Sequence, residues 1–335
     1  VWDLIATGTA LTPSPYPTIT SQKDDIHEGV LVVLYKTNPL DFGVYQVYRY
    51  QKEPRNYIYA TDLYTRLDIG LLYGALEAVW LYGSSRALPV LNEDTLALEE
   101  GGKVKVASSG WVAELGLRTE AQIVRKYDAK VKFGQATGDR NRLKKDPKEG
   151  VPVVESITLK PDYQVGLILF PHAYPFLVER GIQNTIQTLN FLTQEGKVAP
   201  GTVEKLEPLF TLSRPNGGIT NARFVNPILR VEPLEHLTGK VGYLFALTHN
   251  PVEILGSGAG AKTAKNLGHE IDLGVEYQWR RLSLVVEGGV FFPGDVFDQP
   301  PTLFNPATGS FVPVEGKMQR APTMYLLSGR VEVSF

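Results

Sequence analysis

The chain has 335 residues, with 34 Lys and Arg against 36 Asp and Glu, no cysteine and a formal net charge of −2. That balance leaves no basic footprint for a nucleic-acid partner, and the missing cysteine excludes a disulfide scaffold. No apolar run reaches the about 18 residues that a spanning helix needs. A hydrophobic content of 43% still allows a membrane wall of strands, because alternating strands average to ordinary hydropathy.

The chain starts at Val1 without a signal-peptide pattern and reads as a mature, processed form. Strands are expected at about 2–11, 28–37 and 43–52. From Tyr59 to Ile69 the alternation puts Leu63, Leu67 and Ile69 on one face and Asp62, Arg66 and Asp68 on the other. Ala75 to Gly83 sets Leu76, Ala78, Trp80 and Tyr82 against Glu77. Gly110 to Arg118 sets Trp111, Ala113, Leu115 and Leu117 against Glu114 and Arg118. Tyr127 to Gln135 sets Tyr127, Ala129, Val131 and Phe133 against Asp128, Lys130 and Lys132.

An even strand count requires one more strand between 171 and 219, near Gly181 to Phe191; that stretch alternates poorly and reads alternatively as an amphipathic helix. The purest period of two is His269 to Arg280. Ile271, Leu273, Val275, Tyr277 and Trp279 oppose Glu270, Asp272, Gly274, Glu276, Gln278 and Arg280. A helix would scatter those charges all round. Leu282 to Phe292 sets Leu282, Leu284, Val286, Val290 and Phe292 against Ser283 and Glu287, with Val285 and Phe291 as exceptions. The last segment puts Tyr325, Leu327, Gly329, Val331, Val333 and Phe335 on one face and Arg330 and Glu332 on the other. A terminal aromatic on an alternating strand resembles the signal by which outer-membrane barrels are recognised for assembly; Tyr325, Val331, Val333 and Phe335 carry it.

The expected fold is all-β: one antiparallel up-and-down transmembrane barrel over residues 1–335, of about 14 strands, with 16 to about 18 as the alternative. If the last strand runs inwards, 70–74, 119–126, 232–238 and the join at 281 become short periplasmic turns. The stretches 84–109, 138–160, 250–268 and 294–322 become long outside loops, and both termini are periplasmic. A soluble β-sandwich also alternates, but its turns come at regular spacing, whereas these loops are very unequal. Aromatic pairs such as Trp80/Tyr82 and Tyr277/Trp279 also sit near strand ends, as interfacial girdles do.

GSGAGAKT at 256–263 departs from a phosphate-binding loop at Ala261 and has no buried strand leading in, so it reads as a flexible outside loop. His27, His172, His236, His249 and His269 lack metal-ligand spacing, and no G-x-S-x-G is present. No metal, cofactor or catalytic set is expected. A barrel hydrolase with Ser, His and Asp drawn from different strands stands as a minor alternative. The chemistry lies in the inward charges: Asp62, Asp68, Glu77, Glu114, Asp128, Glu270, Asp272, Glu276, Glu287 and Glu332, against Arg66, Arg118, Lys130, Lys132, Arg280 and Arg330. A basic side chain facing mid-bilayer costs about 2–4 kcal/mol, so these residues are expected to line a polar lumen, or to pair across strands and brace a filled one.

KFGQATGDRN (132–141) and LGHEIDLGVEYQWRRLSLVVEGGVFFPGDVF (267–297) resemble the alginate-export family of outer-membrane porins, over about a third of the chain. The resemblance implies a monomeric channel passing an anionic exopolysaccharide through a basic lumen. The inward set here leans acidic instead. The functions expected are therefore an outer-membrane channel, exporting exopolysaccharide or passing small polar solutes, or a non-conducting barrel that anchors an envelope-spanning secretion or motility assembly. The partners expected are outer-membrane lipid, the barrel-assembly machinery and either polysaccharide or periplasmic envelope proteins.

Overall fold

The computed structural model describes residues 26–52, 55–86, 90–91, 98–99, 102–119, 126–138, 150–160, 163–196, 217–254, 262–299, 302–305, 310–313 and 319–333. Among the described residues eleven long strands form one antiparallel sheet in which sequence neighbours are sheet neighbours. They are β1 (Ile26–Lys36), β2 (Leu40–Gln51), β3 (Asn56–Ile69), β4 (Leu72–Ser85), β5 (Val104–Thr119) and β6 (Lys126–Ala136). After a long excursion come β7 (Ala222–Leu234), β8 (Leu237–Ile254), β9 (Lys262–Trp279), β10 (Leu282–Pro293) and β11 (Met324–Val333). This is an up-and-down barrel wall. β1 and β11 are its two edges, and no pairing joins them among the described residues. The expected strand at 2–11 and the terminal Phe335 lie outside the described residues.

Register sets the two faces, because directly paired residues of an antiparallel ladder share a side. Asp272 pairs with Gly289 and Gly242, and Glu270 pairs with Phe291 and Leu244. Leu273 and Val286, on the opposite side, are 61% and 55% exposed, whereas Glu270 is 0% exposed. No second sheet of comparable size covers the apolar face among the described residues, which rules out the sandwich. The uncovered face therefore suits lipid. From His269 to Trp279 along β9, ten residue-to-residue steps of about 3.3 Å each and a tilt of about 40° project to roughly 25 Å, the height of a barrel's apolar band. Tyr48, Tyr59 and Tyr82 stack across three strands on this face, with ring centroids 4.7 and 5.0 Å apart. They stand near the rim that carries the long loops, while Tyr277 and Trp279 stand at the other.

The expected strand near Gly181 to Phe191 is instead part of helix α1 (Tyr174–Gln194), entered through a five-residue π turn, Leu169–Ala173. The strand parity still closes, because β6 pairs directly with β7, Ala136 against Ala222. The whole stretch 137–221 is thus one excursion that leaves and re-enters at the same rim. The long loops also carry structure of their own. Val153–Val154 pairs parallel to the start of β5, and Thr158–Leu159 pairs with Ile219–Thr220. β8 and β9 extend past their expected ends, to Ile254 and from Lys262, into the stretch 250–268 expected as a loop. The stretch after β10 holds a 3-10 turn, Asp295–Phe297, and a hairpin, Thr302–Asn305 with Ser310–Pro313.

Pro227 lies inside β7, where a ladder N–H is lost. The β7–β8 pairing skips from Val225/Phe245 to Ile228/Gly242. The side chain of Asn226 fills that gap, its Nδ2 donating to the Tyr243 carbonyl at 3.0 Å.

Candidate functional site

The inner face of the wall divides into two halves. Towards the long-loop rim it is apolar or small: Val79, Val112, Ala136, Phe224, Leu244 and Phe291. Against it packs the segment 150–174, through Leu159, Val165, Ile168, Leu169, Phe170 and Tyr174. These apolar residues sit at the parity otherwise reserved for charge. They exclude water from this half and make the segment an internal plug.

One wall carboxylate fixes the plug. Glu270, fully buried, accepts the N–H groups of Leu167, Ile168 and Leu169, the last two at 2.7 and 2.8 Å. These amides open the helical segment, whose first donors have no partner within the helix. A negative charge there also meets the positive end of the helix dipole. The approach needs Gly166. Its φ is +72°, and a Cβ at that position would lie 2.6 Å from Leu244 Cδ2 and 3.0 Å from Glu270 Oε2. A second clasp is Lys132, whose Nζ donates to the Gln164 carbonyl at 3.3 Å and stands 5.1 Å from the Tyr163 ring centroid. Burial, with Glu114 and Glu77 nearby, pushes the Tyr163 hydroxyl above its ordinary range, so the ring stays neutral and the contact is cation–π. At the rim Asn250 N–H donates to Asn221 Oδ1 at 2.8 Å, and Asn250 Nδ2 donates to the Gly138 carbonyl.

Towards the short-turn rim the inner face carries charged side chains and forms a half-open cavity of about 670 Å³ over β3 to β6. Tyr73 lies across Gly116, its direct partner on β5, and its hydroxyl donates to Asp128 Oδ1 at 2.7 Å. The Arg118 guanidinium sits 5.4 Å from the Tyr73 ring centroid and pairs with Asp68, which Arg66 also approaches at 4.0 Å. Lys130 pairs with Glu114 at 3.2 Å, and on the far side Lys240 pairs with Glu287 at 3.1 Å. The half is thus charged, but its charges are arranged as local pairs of opposite sign.

Fifteen of the sixteen residues expected to face inwards lie on this inner face. Arg66, Glu114, Arg118 and Asp128 line the cavity itself, with Asp68 and Lys130 bonded to its walls. Asp62, Glu77, Glu270 and Asp272 are buried in the wall rather than open to a lumen. Lys132 holds the plug. Glu276, Arg330 and Glu332 are on the inner side of β9 and β11, where Gln278 Nε2 donates to Glu276 Oε1 at 2.6 Å. Arg280 is the exception: it turns the β9–β10 hairpin at φ 53°, with its guanidinium 5.3 Å from the Trp279 ring centroid, and faces no lumen. Sequence reasoning missed Tyr73, Lys240 and the apolar inner residues Val79, Val112, Phe224 and Leu244. Their signal is a loss of alternation confined to one half of several strands, of which Phe291 was the visible case.

Among the described residues no group of three His, Cys, Asp or Glu side chains is placed to hold a metal ion, and no helix is long and apolar enough to cross a membrane. No protein-family model matches the chain, and no curated protein matches it. Among solved structures it is similar to that of Pseudomonas aeruginosa OccK5 (OpdH), at 9% identity and a TM-score of 0.36, over 92% of this chain. The chain spans 59% of the length of that structure.

Proposed function

We propose that this chain is a Gram-negative outer-membrane channel for small polar solutes, narrowed from within by the segment 150–196. The observation that carries this reading is the division of the inner face: a half-open cavity of about 670 Å³ lined by Arg66, Glu114, Arg118 and Asp128 at one rim, and at the other an apolar seat filled by a plug held on Glu270. Locally paired charges keep such a cavity wet without a net field, so it favours neutral and zwitterionic solutes over either ion sign. The short turns are periplasmic on this reading, as are both termini, and no enzymatic step is assigned to the barrel. Outer-membrane lipid and the barrel-assembly machinery are its general partners. Reconstitution of the full chain in planar bilayers tests the proposal: steady, weakly ion-selective conductance is expected, and silence from heat-modifiable, folded protein overturns it.

A second reading is a non-conducting barrel that anchors a larger envelope assembly. The dry packing of Phe170 of the plug on Phe224 of the wall, with ring centroids 6.0 Å apart, favours it. Export of an exopolysaccharide, which the resemblance in 132–141 and 267–297 suggests, requires the plug to leave its seat. In those motifs Asp295 Oδ1 accepts the Asn266 N–H at 2.8 Å, and Phe291 packs on Phe297 with centroids 5.5 Å apart, so the motif residues brace the wall. Polymer block of an open, plug-deleted variant separates the export reading from the solute reading.

A further inference from the structure

β1 and β11, the two edges of the wall, run in the same direction. The joins at 70–71 and 280–281 are short, so β3 and β9 end at the short-turn rim. Every neighbouring pair of the wall is antiparallel, so β1 and β11 both descend from the long-loop rim, Ile26 to Lys36 and Met324 to Val333. Two descending edges cannot meet as an antiparallel pair. An odd number of strands must join them, and whatever lies against either edge must ascend.

The edge of β1 is not built to stay open. Every residue from Ile26 to Lys36 is exposed. Leu34 shares a row with Gly43, Tyr64 and Glu77, so Val30, Val32 and Leu34 stand on the inner face and Leu31, Val33 and Tyr35 on the outer. No charge, proline or bulge blunts the edge from Val30 to Tyr35. Inside hydrocarbon a row of unmet N–H and C=O groups is not tolerated. A second copy of this chain does not supply the cover. Inserted the same way up, it offers only its own β1 and β11, and these descend as well.

Residues 1–25 precede β1. Pro13, Pro15 and Pro17 bar a ladder in their middle, and Ser21 to Asp25 is wholly polar, which leaves room for one wall-length strand ahead of the prolines. There the sequence alternates, with Trp2, Leu4, Ala6, Gly8 and Ala10 against Asp3, Ile5, Thr7, Thr9 and Leu11. We infer that residues 2–11 ascend between β1 and β11 and close the wall, with one edge on each. A strand that leads into β1 at the long-loop rim has the required direction, and the stretch 2–11 is as long as the 10 residues of β11. With Trp2 set beside Tyr35 and Val333 at the short-turn rim, the first set continues the outer face across both edges and the second set continues the inner face.

Cysteine pairs in the full chain, folded into vesicles, test the closure, since the chain has no cysteine of its own. Directly paired residues stand about 4.5–5.5 Å apart at Cα, within the span of a disulfide. Thr7→Cys is combined in turn with Glu28→Cys, Val30→Cys and Val32→Cys on β1, and with Leu326→Cys, Ser328→Cys and Arg330→Cys on β11. The steps of two residues cover a slip of register. After mild oxidation, one pair of each set is expected to lose both free thiols and to give a linked tryptic peptide from the monomer band. Links between molecules, links to one edge and not the other, or no link in heat-modifiable protein overturn the inference. Deletion of residues 1–24 is the second arm. It should bare both edges and abolish the heat-modifiable monomer; a deletion variant that keeps that monomer overturns the closure too. Neither arm reads conduction, so the closure and the channel reading fail separately.

Discussion

A carboxylate that accepts three backbone amides can be removed only by stranding all three. Charge-assisted hydrogen bonds contribute about 1.5–3 kcal/mol each and are not additive, so Glu270→Ala is expected to weaken the seat by about 3 kcal/mol or more. At about 1.4 kcal/mol per decade, hydrogen exchange at Leu167, Ile168 and Leu169 should quicken by about two decades or more, while the amides of β9 keep their protection. Equal loss of protection in both places would mean that Glu270 supports the wall and not the plug. Tyr73 gives a second residue-scale test, because its ring and its hydroxyl have separate tasks. Tyr73→Phe loses the bond to Asp128, about 1 kcal/mol, and keeps the ring over Gly116 and under Arg118. Tyr73→Ala loses the ring as well and should cost about 2–3 kcal/mol in all, discounted for the partly open site. Urea unfolding in lipid vesicles reads both, and equal losses in the two variants would remove the ring from the account.

Among the elements, β7 is the one with a built-in fault. Pro227 cannot donate to the Tyr243 carbonyl, and the amide of Asn226 does so in its place. Asn226→Ala is expected to cost about 1–2 kcal/mol, since it leaves a buried carbonyl unmet. In a Pro227→Ala background the backbone N–H is restored, and the same change should cost much less. A double-mutant cycle measures the coupling; strict additivity would show that the side chain does not stand in for the backbone. Elements also mark where the sequence was readable. The faces of β3 to β6 and of β9 to β11 were legible because a one-residue slip would have turned every apolar side chain inwards. Helix α1 was not settled, because its stretch carries no clean period of two and no single apolar face. The plug was hidden for a related reason. Its seat is made of apolar residues on the inner parity, so Phe291 read as an exception when it was part of a second pattern running through Phe224 and Leu244. The anchor residue itself was visible as an inward charge, but its partners are backbone amides, which carry no sequence signal.

At the scale of the whole molecule, a membrane wall would have one sheet separate two solvents, and its two sides should then answer differently to chemical probes. The chain has no cysteine, so single substitutions report without background. Leu273 is 61% exposed on the face assigned to lipid, and Ala75 lines the cavity on the other face. In vesicles, Leu273→Cys should react with a lipophilic maleimide and resist a membrane-impermeant one. Ala75→Cys should react with the impermeant reagent, from the side on which the short turns stand. Neither substitution disturbs an ion pair, and heat-modifiable gel mobility checks that the wall has formed before labelling is read. The two reagents together also orient the barrel: impermeant labelling of Ala75→Cys from the outer side of sealed vesicles, with both termini open to added protease, places the short-turn rim on that side. Equal reaction of both positions with the impermeant reagent would mean that both faces meet water. The apolar face would then need a protein partner in place of lipid, and the membrane reading of the sheet would fall with it.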